Sequence, residues 1–276
     1  MKRVLSVVAL SACLTLGMSA SASETAAPSS AQQTKQQSGN VINLAGKQRM
    51  LTQKMSKEAL FVAKGIDADA NKANLTKTVA LFDKTLKGLM NGDESLGLPK
   101  TTNPEIVAQL TVVTELWTPF KSSVEKGDLQ AISKQNIPLL KNMNKAVQMY
   151  AKASGSKLDP AMAQTINLAG RQRMLTQKMT KELLLAANGI DADANKANAK
   201  KTFELFKKTL ADLTAKAPNA EIKTQLGVVK TLMDEYQPII ESGDTSEAAL
   251  KKAEALNMKL LKESNKAVKM YEASIK

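Results

Sequence analysis

From residue 40 onward, apolar residues return at every third or fourth position, the spacing of one face of an α-helix. In the first such stretch, Val41, Leu44, Ala45, Gln48, Leu51, Met55, Ala59 and Val62 share one broad stripe, which predicts a bundle core. The periodicity breaks at Gly65, at "NGDESLGLPKTTN" and at "GD", so the first half parses into helices over 40–64, 68–90, 104–126 and 129–153. The second half parses in the same way, over 160–188, 192–215, 219–241 and 245–275.

The halves are copies. Residues 42–74 match 166–198 at a constant offset of 124, and over 42–58 they differ only at Lys47 against Arg171 and Ser56 against Thr180. "GIDADANKAN" recurs unchanged at Gly65 and Gly189. Later segments agree in outline, "ELWTP" around Trp117 with "DEYQP" around Tyr236, and "NKAVQMY" ending at Tyr150 with "NKAVKMY" ending at Tyr271. Most connections are short, so each half is expected to be an up-down-up-down four-helix bundle. The fold class is therefore all-α, with two tandem bundles related by a pseudo-twofold axis.

The N-terminus adds a targeting expectation. Lys2 and Arg3, an apolar run from Val4 to Met18, and Ala20 and Ala22 at cleavage spacing make residues 1–22 read as a signal peptide, which places the rest in the periplasm. A second reading makes Cys13, in "LSAC", a lipid attachment point. Residues 23–38 are polar and low in complexity and are expected to be a disordered leader. The first bundle then occupies 39–153, a linker 154–159 and the second bundle 160–276.

Composition mainly excludes. The chain has no histidine, and its one cysteine lies in the signal, so the remainder lacks thiolates, disulfides, His general bases and ordinary zinc sites. No cofactor is expected, and without a convincing nucleophile or carboxylate pair, neither is an enzyme. "DADAN" opens like a calcium loop, but Lys72 and Thr78 stand where that loop needs glycine and glutamate. The segment is instead expected to be a tight turn, with Gly65 and Gly189 at positive φ and Asp67 and Asp191 capping the next helix. The formal charge of +13 favours an anionic partner. Lysines are scattered and aromatics amount to 3%, so nucleic acid is not that partner. No apolar run after the signal is long enough to span a bilayer.

A second line on the repeated helix carries the candidate chemistry. Ile42, Gly46, Arg49, Gln53 and Leu60, matched by Ile166, Gly170, Arg173, Gln177 and Leu184, lie roughly 120° from the core stripe. A mid-helix glycine costs about 1 kcal/mol relative to alanine. Either it relieves crowding within its own bundle while Arg49 points to solvent, or it admits another backbone. Two copies permit a symmetric contact, since the fourth helix ends where the first began and a linker of about eight residues reaches on the order of 26 Å. Arg49 would then meet Arg173. Two guanidinium groups about 6 Å apart repel by roughly 3 kcal/mol at an effective dielectric near 20, so the pairing implies an anion between them. Arginine's planar fork suits an oxyanion.

"INLAGKQRMLTQKM" at Ile42 and "INLAGRQRMLTQKM" at Ile166 resemble the first-helix motif of PilJ-type chemoreceptor sensory domains, related to NarX/NarQ-type nitrate and nitrite sensors. The resemblance implies a bundle that pairs through this helix and an arginine, three residues after the motif glycine, that holds nitrate at the interface. By position those residues are Arg49, Arg173, Gly46 and Gly170, with Ile42 and Ile166 as walls. The chain lacks the transmembrane helices, HAMP segment and signalling region of a receptor, so the expectation is a binding module for nitrate or nitrite whose state a membrane chemoreceptor or sensor kinase reads. The alternative is a helical scaffold in which the same stripe only docks helices.

Overall fold

The computed structural model describes residues 30–275; the signal-peptide region and Cys13 lie outside the described residues. Eight α-helices account for nearly all of it: α1 (Ser30–Ala63), α2 (Ala68–Asn91), α3 (Pro104–Lys126), α4 (Leu129–Ala153), α5 (Pro160–Ala187), α6 (Ala192–Ala215), α7 (Ala220–Ser242) and α8 (Glu247–Ala273). Their starts are set by local chemistry. Asn103, Asp128, Asp159, Asn219 and Ser246 each accept a backbone N–H of the following first turn, and prolines open α3 and α5. Gly127 and Gly243 end α3 and α7 with left-handed φ of 69° and 61°.

Each half is an up-down-up-down bundle, α1–α4 and α5–α8, and the two are joined along α1 and α5, the most extensively packed pair of helices. Arg49 and Arg173 make reciprocal contacts to Asn167 and Asn43, and Asn188 just past the end of α5 donates to the Leu60 carbonyl near the end of α1, which makes α1 and α5 parallel and the repeats pseudo-twofold related. α1 and α5 are consequently buried on nearly every face between residues 42–61 and 172–186. Among the described residues no helix is long and apolar enough to cross a membrane.

Four details depart from the sequence reading. Residues 30–38, expected to be disordered, continue α1 toward its N-terminus, because extending a nucleated helix through Gln-, Ala- and Lys-rich sequence costs little. Asp67 and Asp191 do not cap: both sit at positive φ, 44° and 41°, with no side-chain cap bond. The amides of Asn71 and Asn195 hold these turns instead, donating to the carbonyls of Ile66 and Ile190. The linker folds into a 3-10 turn at Ser154–Ser156 with Leu158 buried, so no stretched span is used. Finally, α3 and α7 align from Asn103 and Asn219 to Gly127 and Gly243, which pairs Tyr236 with Phe120 and Trp117 with Met233. The shared "P" of "ELWTP" and "DEYQP" misleads by three residues, almost one helical turn.

Candidate functional site

The seam brings the six predicted residues into the interior. Ile42, Ile166, Arg49 and Arg173 are each 1% exposed, and the two arginines head the largest fully buried side chains among the described residues. Each crosses to the other repeat. Arg49 Nη2 donates to the Asn167 carbonyl (3.1 Å), and Arg173 Nη2 donates to the Asn43 carbonyl (3.2 Å) and side-chain oxygen (2.8 Å). Within its own repeat, Arg49 Nη1 donates to Asn144 Oδ1 (2.7 Å) and Arg173 Nη1 to Asn265 Oδ1 (3.0 Å).

The glycines are the floor on which these groups cross. A Cβ on Gly46 would lie 3.3 Å from Arg49 Nη2 and 3.9 Å from that of Arg173; on Gly170 the distances are 3.3 Å to Arg173 and 3.6 Å to Arg49. Both guanidinium groups therefore gather over the same small patch of exposed helix backbone. Crowding inside one bundle does not explain the glycines, and neither arginine points to solvent.

Charge in this patch is poorly balanced. Burial, and then the facing Arg173 and nearby Arg171, push Arg49 down to about 9. Burial pushes Arg173 down to about 10, with Glu272 working in the opposite direction. Guanidinium groups stay protonated at neutral pH, so these shifts register unrelieved positive charge. The Nε hydrogens of both arginines and Asn167 Oδ1 are buried without a partner. Glu272 reaches only one side, where it accepts from Asn43 Nδ2 (2.7 Å) and so turns the Asn43 oxygen toward Arg173. On α4 the corresponding position is Ala151, and Asn167 has no such orienter. A cleft beside the linker, whose lining includes Lys152, Gln164, Asn167 and Arg171, reaches Asn167, the residue whose carbonyl Arg49 contacts.

Two turns further along lies a network the sequence reading missed. Asn136 on α4 donates to the Thr52 carbonyl and Ser56 and accepts from Gln53 (2.9 Å) and, across the seam, Lys181 (2.9 Å). Asn257 on α8 mirrors it with Thr176, Thr180, Gln177 (2.7 Å) and Lys57 (3.3 Å). The arginine partners Asn144 and Asn265 were missed as well, although each begins the repeated "NKAV" segment. That repetition was their available signal.

Two like four-helix units, paired through their first helices around a buried cation pair, define a duplicated helical-bundle domain. The model of the family described as "Type IV pili methyl-accepting chemotaxis transducer N-term", PilJ, matches residues 30–145 and again 160–261. The chain belongs to the PilJ family, and carries the domain twice. It is 31% identical over 126 residues to the methyl-accepting chemotaxis protein McpN of Pseudomonas aeruginosa, a match covering 43% of this chain and 23% of that receptor's length. The solved ligand-binding domain of McpN, described as a nitrate receptor, aligns over 42% of this chain and 96% of its own at 29% identity, with a TM-score of 0.38.

Proposed function

We propose that this protein is a periplasmic sensory module that encloses one small oxyanion between its two repeats, nitrate first and nitrite second, and presents the bound state to a membrane receptor or sensor kinase. The observation that carries this reading is the facing of Arg49 and Arg173, both buried, with Glu272 relieving the Arg173 side alone among the described residues and an unpartnered Nε hydrogen on each. An anion between the two guanidinium planes turns mutual repulsion into two charge-assisted contacts. Gly46 and Gly170 let both guanidinium groups lie against the helix backbone, where they can share one anion, and Ile42 and Ile166 wall the site one turn away.

A planar monoanion fits this chemistry better than sulfate or phosphate, whose stronger hydration is expensive to remove in a buried site. The relationship to a receptor whose solved domain is described as a nitrate receptor points the same way. The match spans about a quarter of that receptor's length.

The test is thermal unfolding of the protein with nitrate, nitrite, sulfate, phosphate or chloride at matched ionic strength, beside the Arg49→Ala, Arg173→Ala double variant. At 100 times its dissociation constant a ligand stabilises by about 2.7 kcal/mol, a shift of several degrees. A nitrate-selective shift absent from the variant is expected. Equal shifts with every ion, or none with any, would replace the sensor reading by that of a helical scaffold.

A further inference from the structure

We propose that the groove between α4, α5 and α6 is a docking site for an acidic amphipathic helix of a partner protein. The groove holds about 520 Å³. From α5 it takes Arg171, Met174, Leu175 and Lys178, spaced i, i+3, i+4 and i+7, and α4 and α6 present stripes of the same spacing that begin at Ile137 and Asn198. Three helix faces, each about two turns long, make a trough that another helix fills by setting its ridges into theirs.

The lining says what kind of helix. Leu140, Met174, Leu175 and Leu205 make the floor apolar, and Ile137 stands 64% exposed at the lip. No carboxylate lines the groove. Lys178 is paired with Glu182, but Lys141, Arg171 and Lys201 form no ion pair among the described residues. Three uncompensated cations around an apolar floor complement a helix with Leu or Ile on one face and Glu or Asp beside it. A second copy of this chain is opposed by its own charge of +13. A lipid surface offers no convex ridge to fill the trough.

The duplication supplies an internal control. Met258 on α8 corresponds to Ile137 and is 57% exposed, yet Glu254, Asp67 and Asp69 line the depression beside it. Asp67 and Asp69 have their equivalents in Asp191 and Asp193, so the repeats differ here by Glu254, where the first repeat has Ser133, and this extra carboxylate beside Met258 favours the α4–α5–α6 groove for an acidic helix.

The test uses a labelled helical peptide of about 16 residues, with Leu on one face and Glu elsewhere, titrated against the full chain at physiological ionic strength and followed by fluorescence anisotropy. Saturable binding of one peptide per chain is expected, weakened at least about tenfold by Ile137→Glu with Lys201→Glu and unchanged by Met258→Glu. Both variants alter exposed residues, and an unchanged unfolding temperature verifies that they fold. The proposal is overturned if the peptide does not bind, if a scrambled peptide of the same composition binds equally, or if Met258→Glu is as damaging as the groove variant. Phosphatidylglycerol vesicles that bind the protein through these groove residues, without competition from the peptide, would also overturn it in favour of a membrane surface.

Discussion

Lys57 and Lys181 occupy equivalent positions on α1 and α5, yet only Lys57 meets a carboxylate. Its Nζ lies 2.5 Å from Glu254 Oε2, whereas that of Lys181 has the neutral Asn136 oxygen at 2.9 Å. The cause is one position in the fourth helices: three residues before Asn257 lies Glu254, and three before Asn136 lies Ser133. Burial pushes Lys181 down to about 8, with the adjacent Glu182 opposing the push.

This asymmetry sets a pH dependence. Below pH 8 Lys181 is charged in both folded and unfolded chains, and the cost of burying it is felt in full. Between about 8 and 10.5 the folded protein releases that proton first, so stability rises with pH, by up to about 1.4 kcal/mol per pH unit. Denaturant unfolding from pH 7.5 to 9.5 should show wild type gaining on Lys181→Met. A constant difference between the two would remove this account, since Arg49 and Arg173 contribute equally to both.

The same comparison predicts opposite effects on the two repeats. Glu254→Gln strands the buried Lys57 and should cost about 3 kcal/mol. Ser133→Glu gives Lys181 the partner its twin already has and should add about 1 kcal/mol near neutral pH. Urea midpoints of the two variants provide the check, and a loss of stability in Ser133→Glu would count against the equivalence drawn here.

A double-mutant cycle on Arg49→Met and Arg173→Met separates repulsion from hydrogen bonding. Without an anion, each single substitution relieves the whole repulsion, so the double variant should be less stable than the singles sum to, by about 1–3 kcal/mol. With saturating nitrate the coupling should change sign. Additive effects in both conditions would mean that the two guanidinium groups do not sense each other.

Cutting the chain should expose the logic of the duplication. Residues 30–153 alone would present Ile42, Gly46, Arg49, Gln53 and Leu60 to water, residues that α5 now covers. Since α1 and α5 are almost the same helix over 42–58, a second copy can replace α5. Light scattering after size exclusion should find a dimer, disrupted by Gly46→Leu. A stable monomer at high concentration would show that one repeat closes on itself.

Much of the fold was legible because each helix is punctuated locally. Asn103, Asp128 and Asp159 are followed by apolar residues at helical spacing, and glycine or proline stands at most boundaries, so α3, α4 and α6 begin and end where the pattern says. The errors have local causes too. Asp67 and Asp191 look like caps but lie in a left-handed turn held from Asn71 and Asn195, four residues onward. Arg49 and Arg173 were legible as a pair because the phrase around them is written twice. Lys57, Lys181, Asn136 and Asn257 were not, because polar residues on a helix read as solvent-facing until a second bundle covers them.

By itself the sequence determined eight helices, their order, a duplication and one helix with too many demands for a single core face. Periodicity and capping act within a few residues, so they survive as pattern. Only the tertiary structure decided that this helix is buried on nearly all sides, that the fourth helices supply the asparagines holding its arginines, and that Glu254 and Glu272 of α8 relieve Lys57 and Arg173 while Ser133 and Ala151 of α4 leave Lys181 and Arg49 without such a carboxylate. Those facts depend on which charges share a desolvated space, and residues more than a hundred positions apart come to share one only when the two bundles close on each other.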